Sequence, residues 1–292
     1  MKHIPVLLRE VLSVVEGREL STFFDGTLGA GGHASALLEA HPEIERYLGC
    51  DRDPVALELA KRHLAPWGEK VELIRGAYAD LPRILKEKKV SAVDGFLIDV
   101  GVSSMQLDEK ERGFSFRGEA ALDMRMDPEG ELTAEEIVNR FSEKELARIF
   151  FEYGEERRSR QVAKAIVEAR KKRRIRTTKE LVDIVFPVAT KGRLHPATLV
   201  FQALRIVVND ELGQLEKGIQ AAMEHVAVGG RIAVISFHSL EDRIVKNLLR
   251  SDREGWKVLT KKPVGPTEEE SKINPRSRSA KLRAAERVES DE

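Results

Sequence analysis

Short apolar runs alternate with amphipathic segments along the first third of the chain. The runs are residues 20–24, 46–51, 71–75 and 93–100. They are rich in aliphatic and aromatic side chains, which favours strands, and segments with helical periodicity lie between them. Because strands that alternate with helices form parallel sheets, we expect a parallel sheet covered by helices.

The alternation breaks after Gln106, where a polar loop leads into a helical region. Three segments of this region, residues 133–136, 142–145 and 177–180, fit a capping box, in which a hydroxyl and a Glu satisfy free N–H groups at a helix start. We therefore expect an all-helical insertion at residues 110–205.

The sheet pattern resumes after the insertion. A helix is expected at 211–225, strands at 230–237, 256–260 and 281–288, and a flexible loop at 263–274. Residues 1–109 and 206–292 would then form one discontinuous domain.

A glycine-rich turn follows the first apolar run. Gly29, Gly31 and Gly32 lie between a predicted strand and a predicted helix, where glycine lets a ligand lie directly on the backbone. Asp51 ends the next strand, where an acid can accept both hydroxyls of a ribose. Asp53 and Pro54 then open another helix. This combination predicts a nucleotide-like cofactor at the carboxyl ends of the strands.

The overall composition narrows the possible classes of function less than the distribution of charge along the chain does. The chain has 292 residues, with 49 Lys and Arg against 49 Asp and Glu, and its single cysteine, Cys50, lies in a predicted buried strand. One cysteine excludes an internal disulfide and suggests a reducing compartment. The N-terminus lacks the apolar segment of a signal peptide, so a cytoplasmic protein is expected. Basic residues nevertheless concentrate at 157–176 and 272–287, which favours a nucleic-acid partner.

Longer motifs carry a family resemblance. They occur in order at residues 25–33 (DGTLGAGGH), 51–54 (DRDP), 99–104 (DVGVSS), 106–108 (QLD), 112–116 (RGFSF), 122–127 (LDMRMD), 201–205 (FQALR), 236–242 (SFHSLED) and 274–283 (NPRSRSAKLR). This series closely resembles that of the bacterial RsmH (MraW) family, which uses S-adenosylmethionine to methylate the exocyclic N4 of a cytidine in the decoding region of small-subunit (16S) ribosomal RNA. The resemblance covers essentially the whole chain.

The resemblance implies a fold, a cofactor and partners. The fold is a Rossmann-like class I methyltransferase sheet, interrupted by a helical domain that recognises RNA. The cofactor is S-adenosylmethionine, and the partner is small-subunit ribosomal RNA or the assembled small subunit. Neither a membrane nor a structural metal is implied.

The resemblance also assigns cofactor contacts by position. Gly31, Gly32 and His33 would hold the amino-acid part, Asp51 the ribose and Tyr78 the adenine region, while Asp99 and Gln106 line the rest of the pocket. Tyr78 stands where relatives commonly have Phe, and its ring can still stack. Asp80 is a rival adenine contact, because a carboxylate can accept from the adenine amine.

Catalysis requires the cytosine amine to be oriented, because its lone pair is delocalised into the ring. Asp99 is the acceptor best placed to bind the amine, although it can equally face only the cofactor. His238 is a second catalytic candidate in the substrate pocket, but residues 239–242 fit a capping box, which gives this motif a structural explanation.

Substrate contacts are expected outside the sheet. The target base must be unpaired, and Phe114 and Phe116 can either stack on it or anchor the insertion. Arg174 in the first basic block and Arg278 in the second are expected to contact RNA phosphates.

Two other classes of function are open to the sequence. An NAD-dependent oxidoreductase would use the same glycine turn and ribose acid but would not explain the basic blocks. A non-catalytic RNA-binding protein would explain the basic blocks but not the nucleotide pocket.

Overall fold

A computed structural model describes residues 4–101, 110–116, 118–192 and 194–289. The chain forms two compact units. The first comprises Met1–Gly101 and Leu212–Glu292, and the second comprises Val102–Glu211. Each unit buries a hydrophobic core of its own.

The first unit is built on a single sheet. Its strands are β1 (Thr22–Asp25), β2 (Arg46–Asp51), β3 (Val71–Arg75), β4 (Val93–Asp99), β5 (Val226–Ser236), β6 (Trp256–Val258) and β7 (Lys281–Arg287). The strands expected from the apolar runs are confirmed, and β5 begins at Val226 rather than at residue 230.

The strand order is β3-β2-β1-β4-β5-β7-β6. Neighbours from β3 to β5 pair in parallel, whereas β7 is antiparallel to both β5 and β6. The common dinucleotide-binding sheet has the order 3-2-1-4-5-6, so an antiparallel strand inserted before the last one distinguishes this sheet. The expected Rossmann-like sheet of a class I methyltransferase is thereby confirmed.

Helices of the first unit follow the predicted periodicity. They are α1 (Leu8–Val15), α2 (Gly32–Ala40), α3 (Pro54–His63), α4 (Leu81–Lys88), α10 (Glu211–His225), α11 (Ser239–Leu248) and α12 (Glu268–Ile273). At the start of α3, the Asp53 side chain accepts a hydrogen bond from the N–H of Val55 at 3.0 Å, and Pro54 occupies the first turn, as expected. No helix among the described residues is long and apolar enough to cross a membrane.

Both faces of the sheet are buried. Neighbouring residues of β1 point to opposite faces, so Phe23 stacks on Tyr47 at 5.3 Å while Phe24 stacks on Phe96 at 5.5 Å, between ring centroids. These two pairs belong to separate apolar clusters, one on each face. Cys50 is a buried free thiol in β2, as expected for a core residue.

The second unit is helical. Its helices are α5 (Ala134–Arg140), α6 (Glu143–Glu152), α7 (Ser159–Lys172), α8 (Thr178–Val185) and α9 (Thr198–Asn209). The three predicted capping boxes are confirmed, because Thr133, Ser142 and Thr177 cap α5, α6 and α8. In each, the Glu three residues later accepts from the N–H of the capping residue.

Two sequence-based boundaries need correction. The expected end of the insertion at residue 205 falls inside α9, whose Val200, Phe201 and Leu204 are buried in the helical core. The expected loop at 263–274 contains α12, because the Thr267 side chain accepts from the N–H of Glu270 at 3.1 Å and caps a helix there.

Close packing in the sheet predicts a position that does not tolerate a side chain larger than that of glycine. A Cβ added to Gly95 in β4 would lie 2.3 Å from the ring of Phe23 on the neighbouring strand. We expect Gly95→Ala to lower the free energy of unfolding by about 1–3 kcal/mol, the usual cost of overpacking a core. Chemical denaturation measures this change. Gly192→Ala is the control, because its Cβ would meet no atom within 4 Å; equal stability of the two variants would contradict the prediction.

Candidate functional site

Three adjacent parallel strands of the first unit end in aspartate. Asp51 ends β2, Asp25 ends β1 and Asp99 ends β4. These strands are consecutive neighbours in the sheet. The carboxyl ends of parallel strands share one edge, which is where open α/β sheets bind ligands. An acidic edge is therefore the first feature of the candidate site.

Asp51 joins the end of β2 to the glycine turn. Its carboxylate accepts from the N–H of Gly29 at 2.8 Å and from the N–H of Asp53 at 2.9 Å. Burial raises the pKa of Asp51 from 3.8 to about 6, against the opposing effect of these hydrogen bonds. Each carboxylate oxygen retains a second lone pair, so the predicted role as ribose acceptor is compatible with this geometry.

Asp25 is the most deeply buried of the three carboxylates and has 1% of its surface exposed. The hydroxyl of Tyr47 donates to its Oδ2 at 2.9 Å, and the N–H of Thr27 donates to its Oδ1 at 3.1 Å. Burial raises the pKa of Asp25 from 3.8 to about 7. The sequence motifs assigned Asp25 no role of its own, although its position at the end of a predicted strand was a usable signal.

Asp99 has an unsatisfied oxygen. Its backbone N–H donates to Thr27 Oγ1 at 2.6 Å, which fixes the end of β4 against the glycine turn. Its Oδ1 is buried and has no hydrogen-bond partner among the described residues. Burial, followed by the charges of Asp25 and Glu241, raises the pKa of Asp99 well above its usual range. A buried acceptor without a donor is costly, so this oxygen is well suited to accept from a ligand.

No Lys or Arg side chain neutralises this edge within the described ranges. Among the residues that the structure describes, no Lys or Arg forms an ion pair with Asp25, Asp51 or Asp99, and the main causes of their pKa shifts include no cation. Like charges at close range favour the neutral, protonated form of at least one member. The site is therefore prepared for a ligand that supplies positive charge and N–H or O–H donors.

The glycine turn has both a packing and a ligand explanation. Gly29 and Gly31 adopt φ values of 55° and 82°, the left-handed region that favours glycine. A Cβ at Gly31 would lie 2.9 Å from Leu64, and one at Gly32 would lie 2.7 Å from Pro5. Packing therefore demands glycine at both positions, and their predicted contact with the cofactor stays a prediction.

His33 is held by the N-terminal segment. Its ring is largely buried, and its Nε2 lies 2.9 Å from the carbonyl oxygen of Val6. Because a carbonyl only accepts, this contact assigns the proton to Nε2. The predicted contact of His33 with the cofactor would then use its backbone at the start of α2 rather than Nε2.

The two rival adenine contacts differ in exposure. Tyr78 is 9% exposed, and a Cβ at Gly26 or Gly218 would lie within 2.5 Å of its side chain. The Asp80 side chain is 47% exposed and lies 3.4 Å from Arg83 Nη2. The carboxylate of Asp80 is thus the more accessible of the two groups, while stacking by Tyr78 stays a prediction.

His238 caps a helix. Its Nδ1 accepts from the N–H of Glu241 at 3.4 Å, and Glu241 Oε2 accepts from the N–H of Phe237 at 2.7 Å. The capping box is therefore 238–241 and not 239–242, because Asp242 binds Arg283 instead. His238 Nε2 also lies 2.9 Å from Glu241 Oε1. The catalytic assignment of His238 stays a prediction.

The predicted substrate aromatics belong to the helical unit. Phe114 is 8% exposed and lies in the core of that unit, with the guanidinium of Arg112 5.6 Å from its ring centroid. Phe116 is half-buried and stacks on His195, with 4.6 Å between ring centroids. Burial favours a structural role for Phe114, whereas Phe116 is only partly buried.

Several predicted phosphate contacts are already paired. Arg174 donates to Glu135 at 2.6 Å, and Arg278 donates to the carbonyl of Ser271 at 3.1 Å while remaining exposed. Arg283 is 6% exposed and binds Asp242 through two hydrogen bonds of 2.7 and 3.2 Å. Arg283 is therefore a structural residue, which corrects its inclusion in the second basic block. Gln106 lies outside the described residues.

Comparison with known proteins identifies the family. The model of the MraW methylase family matches residues 1–288. Ribosomal RNA small subunit methyltransferase H of Persephonella marina is 48% identical over 294 residues, covering 99% of this chain and 100% of the relative. The protein of the same name from Heliobacterium mobile is 46% identical over 308 residues, covering 98% of this chain and 99% of the relative.

Solved structures give weaker matches. A putative rRNA-methylase from Clostridium thermocellum has a TM-score of 0.48 and 13% identity, covering 98% of this chain and 100% of that chain. An rRNA methylase from Streptococcus thermophilus has a TM-score of 0.47 and 11% identity, covering 97% of this chain and 94% of that chain.

The burial of Asp25 predicts a pH dependence of stability. Its pKa is about 7 in the folded protein against an ordinary aspartate value of 3.8, so between these pH values the folded state holds a proton that the unfolded chain releases. Stability therefore falls as pH rises between these values, by up to about 4 kcal/mol at 1.36 kcal/mol per pKa unit. We expect Asp25→Asn to lose less stability than the wild type between about pH 5 and about pH 8.

Thermal unfolding across this pH range provides the measurement. Asp183→Asn is the control, because its carboxylate lies on the surface with 63% of the side chain exposed, and this variant should follow the wild type. Parallel pH curves for Asp25→Asn and the wild type would show that Asp25 does not retain the proton.

Proposed function

The chain belongs to the MraW methylase family, and from that premise we propose that it methylates the exocyclic N4 of a specific cytidine in the decoding region of small-subunit (16S) ribosomal RNA. It is a methyltransferase with S-adenosylmethionine as the methyl donor. Its relatives bear the name ribosomal RNA small subunit methyltransferase H, which supports the choice of RNA.

The observation that carries the choice of cofactor is the uncompensated acidic edge. S-adenosylmethionine has a sulfonium and an ammonium group, and both supply the positive charge that Asp25, Asp51 and Asp99 lack. NAD would bring an anionic pyrophosphate to the same edge, where it would meet like charge. The alternative of an NAD-dependent oxidoreductase is thus disfavoured by electrostatics as well as by family.

The donor set fits the cofactor in its details. Asp51 offers acceptor lone pairs for ribose hydroxyls, and the buried Asp99 Oδ1 offers one for an ammonium or an amine. When bound, S-adenosylmethionine supplies an electrophilic methyl group. Gly29 leaves the turn open, because a Cβ there would approach only the carbonyl of Thr27, at 3.9 Å.

Asp99 has the chemistry to orient the substrate amine. A carboxylate oxygen that accepts an N–H of the cytosine amine fixes the direction of the nitrogen and favours localisation of its lone pair. Fixed orientation removes part of the entropic barrier, up to about 7–11 kcal/mol in well-oriented systems. Thr27 acts through Asp99, because its hydroxyl accepts from the Asp99 N–H. The methylated amine becomes acidic and can lose its proton to water.

We assign the contact with RNA to the helical unit. Its exposed basic residues support this role, and the base must be unpaired or extruded before its amine can react. We place the protein in the cytoplasm and include the assembled small subunit among its possible substrates. A non-catalytic RNA-binding protein would have no use for the acidic edge.

Methylation of small-subunit RNA tests the function directly. Purified protein is incubated with S-adenosylmethionine and either free small-subunit RNA or small subunits from cells that lack this protein, and the RNA is mapped by mass spectrometry. We expect one methyl group on N4 of a single decoding-region cytidine. Methylation of another atom or of another region would overturn the assignment.

Asp99→Asn tests the electrostatic argument. The carboxylate favours the cationic cofactor over its neutral-sulfur product, so the variant should lose about ten- to a hundredfold in affinity for S-adenosylmethionine and less for the product. In the wild type, the raised pKa of Asp99 means that the preference for S-adenosylmethionine should increase with pH, as the carboxyl loses its proton. Isothermal titration calorimetry with both ligands measures these affinities.

Binding of NAD provides the control for that experiment, because we expect it to be much weaker than binding of S-adenosylmethionine. If Asp99→Asn has the same ratio of affinities for S-adenosylmethionine and its product as the wild type at every pH, the Asp99 charge does not select the cationic cofactor. Asp99→Ala, which lacks any acceptor at this position, tests the orienting role: a wild-type rate of single-turnover methyl transfer at saturating cofactor would move that role to another group.

A further inference from the structure

Unpaired arginines of the helical unit concentrate before and at the start of α7. Arg157, Arg158 and Arg160 are exposed, and their side chains have no partner in the described part of the chain. Two arginines further along the same block are engaged, because Arg170 donates to the Val138 carbonyl and Arg174 to Glu135. The structure therefore separates cations that stabilise the unit from cations that are available to a partner.

A buried carboxylate links these arginines to a second segment. Glu156 is fully buried and accepts from the N–H of Arg158 at 2.7 Å. It also accepts from the N–H of Thr190 at 3.2 Å and from the Thr190 hydroxyl. These bonds hold the segment that follows α8 against the start of α7.

That segment presents aromatic rings to solvent. Phe186 is 46% exposed, and its ring centroid lies 5.5 Å from that of His195, which is also exposed. Behind His195, the ring of Phe116 stacks at 4.6 Å with an interplanar angle of 15°. Phe116 in turn meets the ring of Phe201 edge-on at 5.6 Å. The exposed rings are thus supported from within the unit.

His195 has a fixed orientation. Its Nδ1 accepts from the N–H of Ala197 at 3.2 Å, which assigns the ring proton to Nε2 in the neutral form. The ring therefore combines a supported aromatic face with an N–H donor. Both features suit a nucleobase, which stacks through its face and accepts hydrogen bonds at its edge.

We propose that Phe186 and His195 form a platform on which an unpaired base of the substrate RNA stacks, while Arg157, Arg158 and Arg160 contact the flanking phosphates. This proposal rests on the proposed function, because it takes RNA as the partner. Aromatic rings beside unpaired cations are the features by which proteins bind single-stranded nucleic acid. Three exposed arginines on the segment that Glu156 ties to the segment with the rings argue for a polyanion rather than an apolar protein surface.

Binding of a single-stranded RNA tests the platform in the full-length protein. The probe is a fluorescent oligouridine of about a dozen nucleotides, and anisotropy measures its affinity over a range of salt concentrations. Phe186→Ala and His195→Ala should each weaken binding about five- to a hundredfold, which corresponds to about 1–3 kcal/mol per stacked base. The slope of log affinity against log salt should not change.

The arginines should behave in the opposite way. Arg157→Gln and Arg160→Gln should each make the salt slope shallower by about 0.7, because each loses one phosphate contact. Lys144→Gln, at an exposed position in the first turn of α6, is the matched charge control and should leave the slope unchanged. Unchanged slopes in the two arginine variants would overturn the phosphate contacts.

Conservative variants distinguish stacking from apolar contact. Phe186→Tyr should keep wild-type affinity, whereas Phe186→Leu, which retains apolar surface without a π face, should not. Equal affinity of the Tyr and Leu variants would overturn the platform. Affinity for S-adenosylmethionine, measured for every variant, reports on folding and should match the wild type. The melting temperature should fall for His195→Ala, which loses the stack on Phe116 and the bond from the Ala197 N–H, and should match the wild type for the other variants.

Failure of the platform and failure of the function give different results. If the wild type binds and methylates RNA while Phe186→Ala and His195→Ala bind it equally well, the platform is wrong and the proposed function stands. If the wild type neither binds nor methylates small-subunit RNA, the proposed function itself is wrong.

Discussion

The rest of the first unit depends on three carboxylates held side by side at one edge of a parallel sheet. Parallel pairing of β2, β1 and β4 leaves Asp51, Asp25 and Asp99 no freedom to separate. The desolvation of Asp25 and Asp51 is offset by donors from the backbone and from Tyr47 rather than by cations. Because these donors come from the glycine turn and its neighbours, the conformation of the turn and the state of the carboxylates are coupled.

This coupling assigns the residues different tasks. Asp51 and Asp25 have hydrogen-bond partners and support the turn, whereas the Asp99 Oδ1 has none among the described residues. A protein that buries an unsatisfied acceptor loses stability unless a ligand satisfies it. A ligand that donates an N–H to Asp99 Oδ1 would therefore remove this cost when it binds.

Local sequence signals predicted most of the fold, and contacts between distant residues limited the rest. Alternating runs located the strands, and Thr133, Ser142 and Thr177 marked helix starts, because a capping box lies within four residues. The ends of β2 and β4 likewise identified Asp51 and Asp99. Spacing along the chain did not reveal that Arg283 binds Asp242 or that Gly32 packs on Pro5, since both contacts join distant segments.

Charged residues show the same limit of sequence-based prediction, because only the structure shows which of them are paired. Equal numbers of acidic and basic residues hide where unpaired charge remains. In the helical unit, Arg174 is paired with Glu135, whereas Arg157 and Arg160 have no side-chain partner among the described residues. A paired cation already has its counter-charge and gains little from a phosphate, while an unpaired one releases counterions on binding. We therefore expect the pairing of each cation, rather than the density of basic residues along the chain, to determine where a polyanion gains the most binding energy.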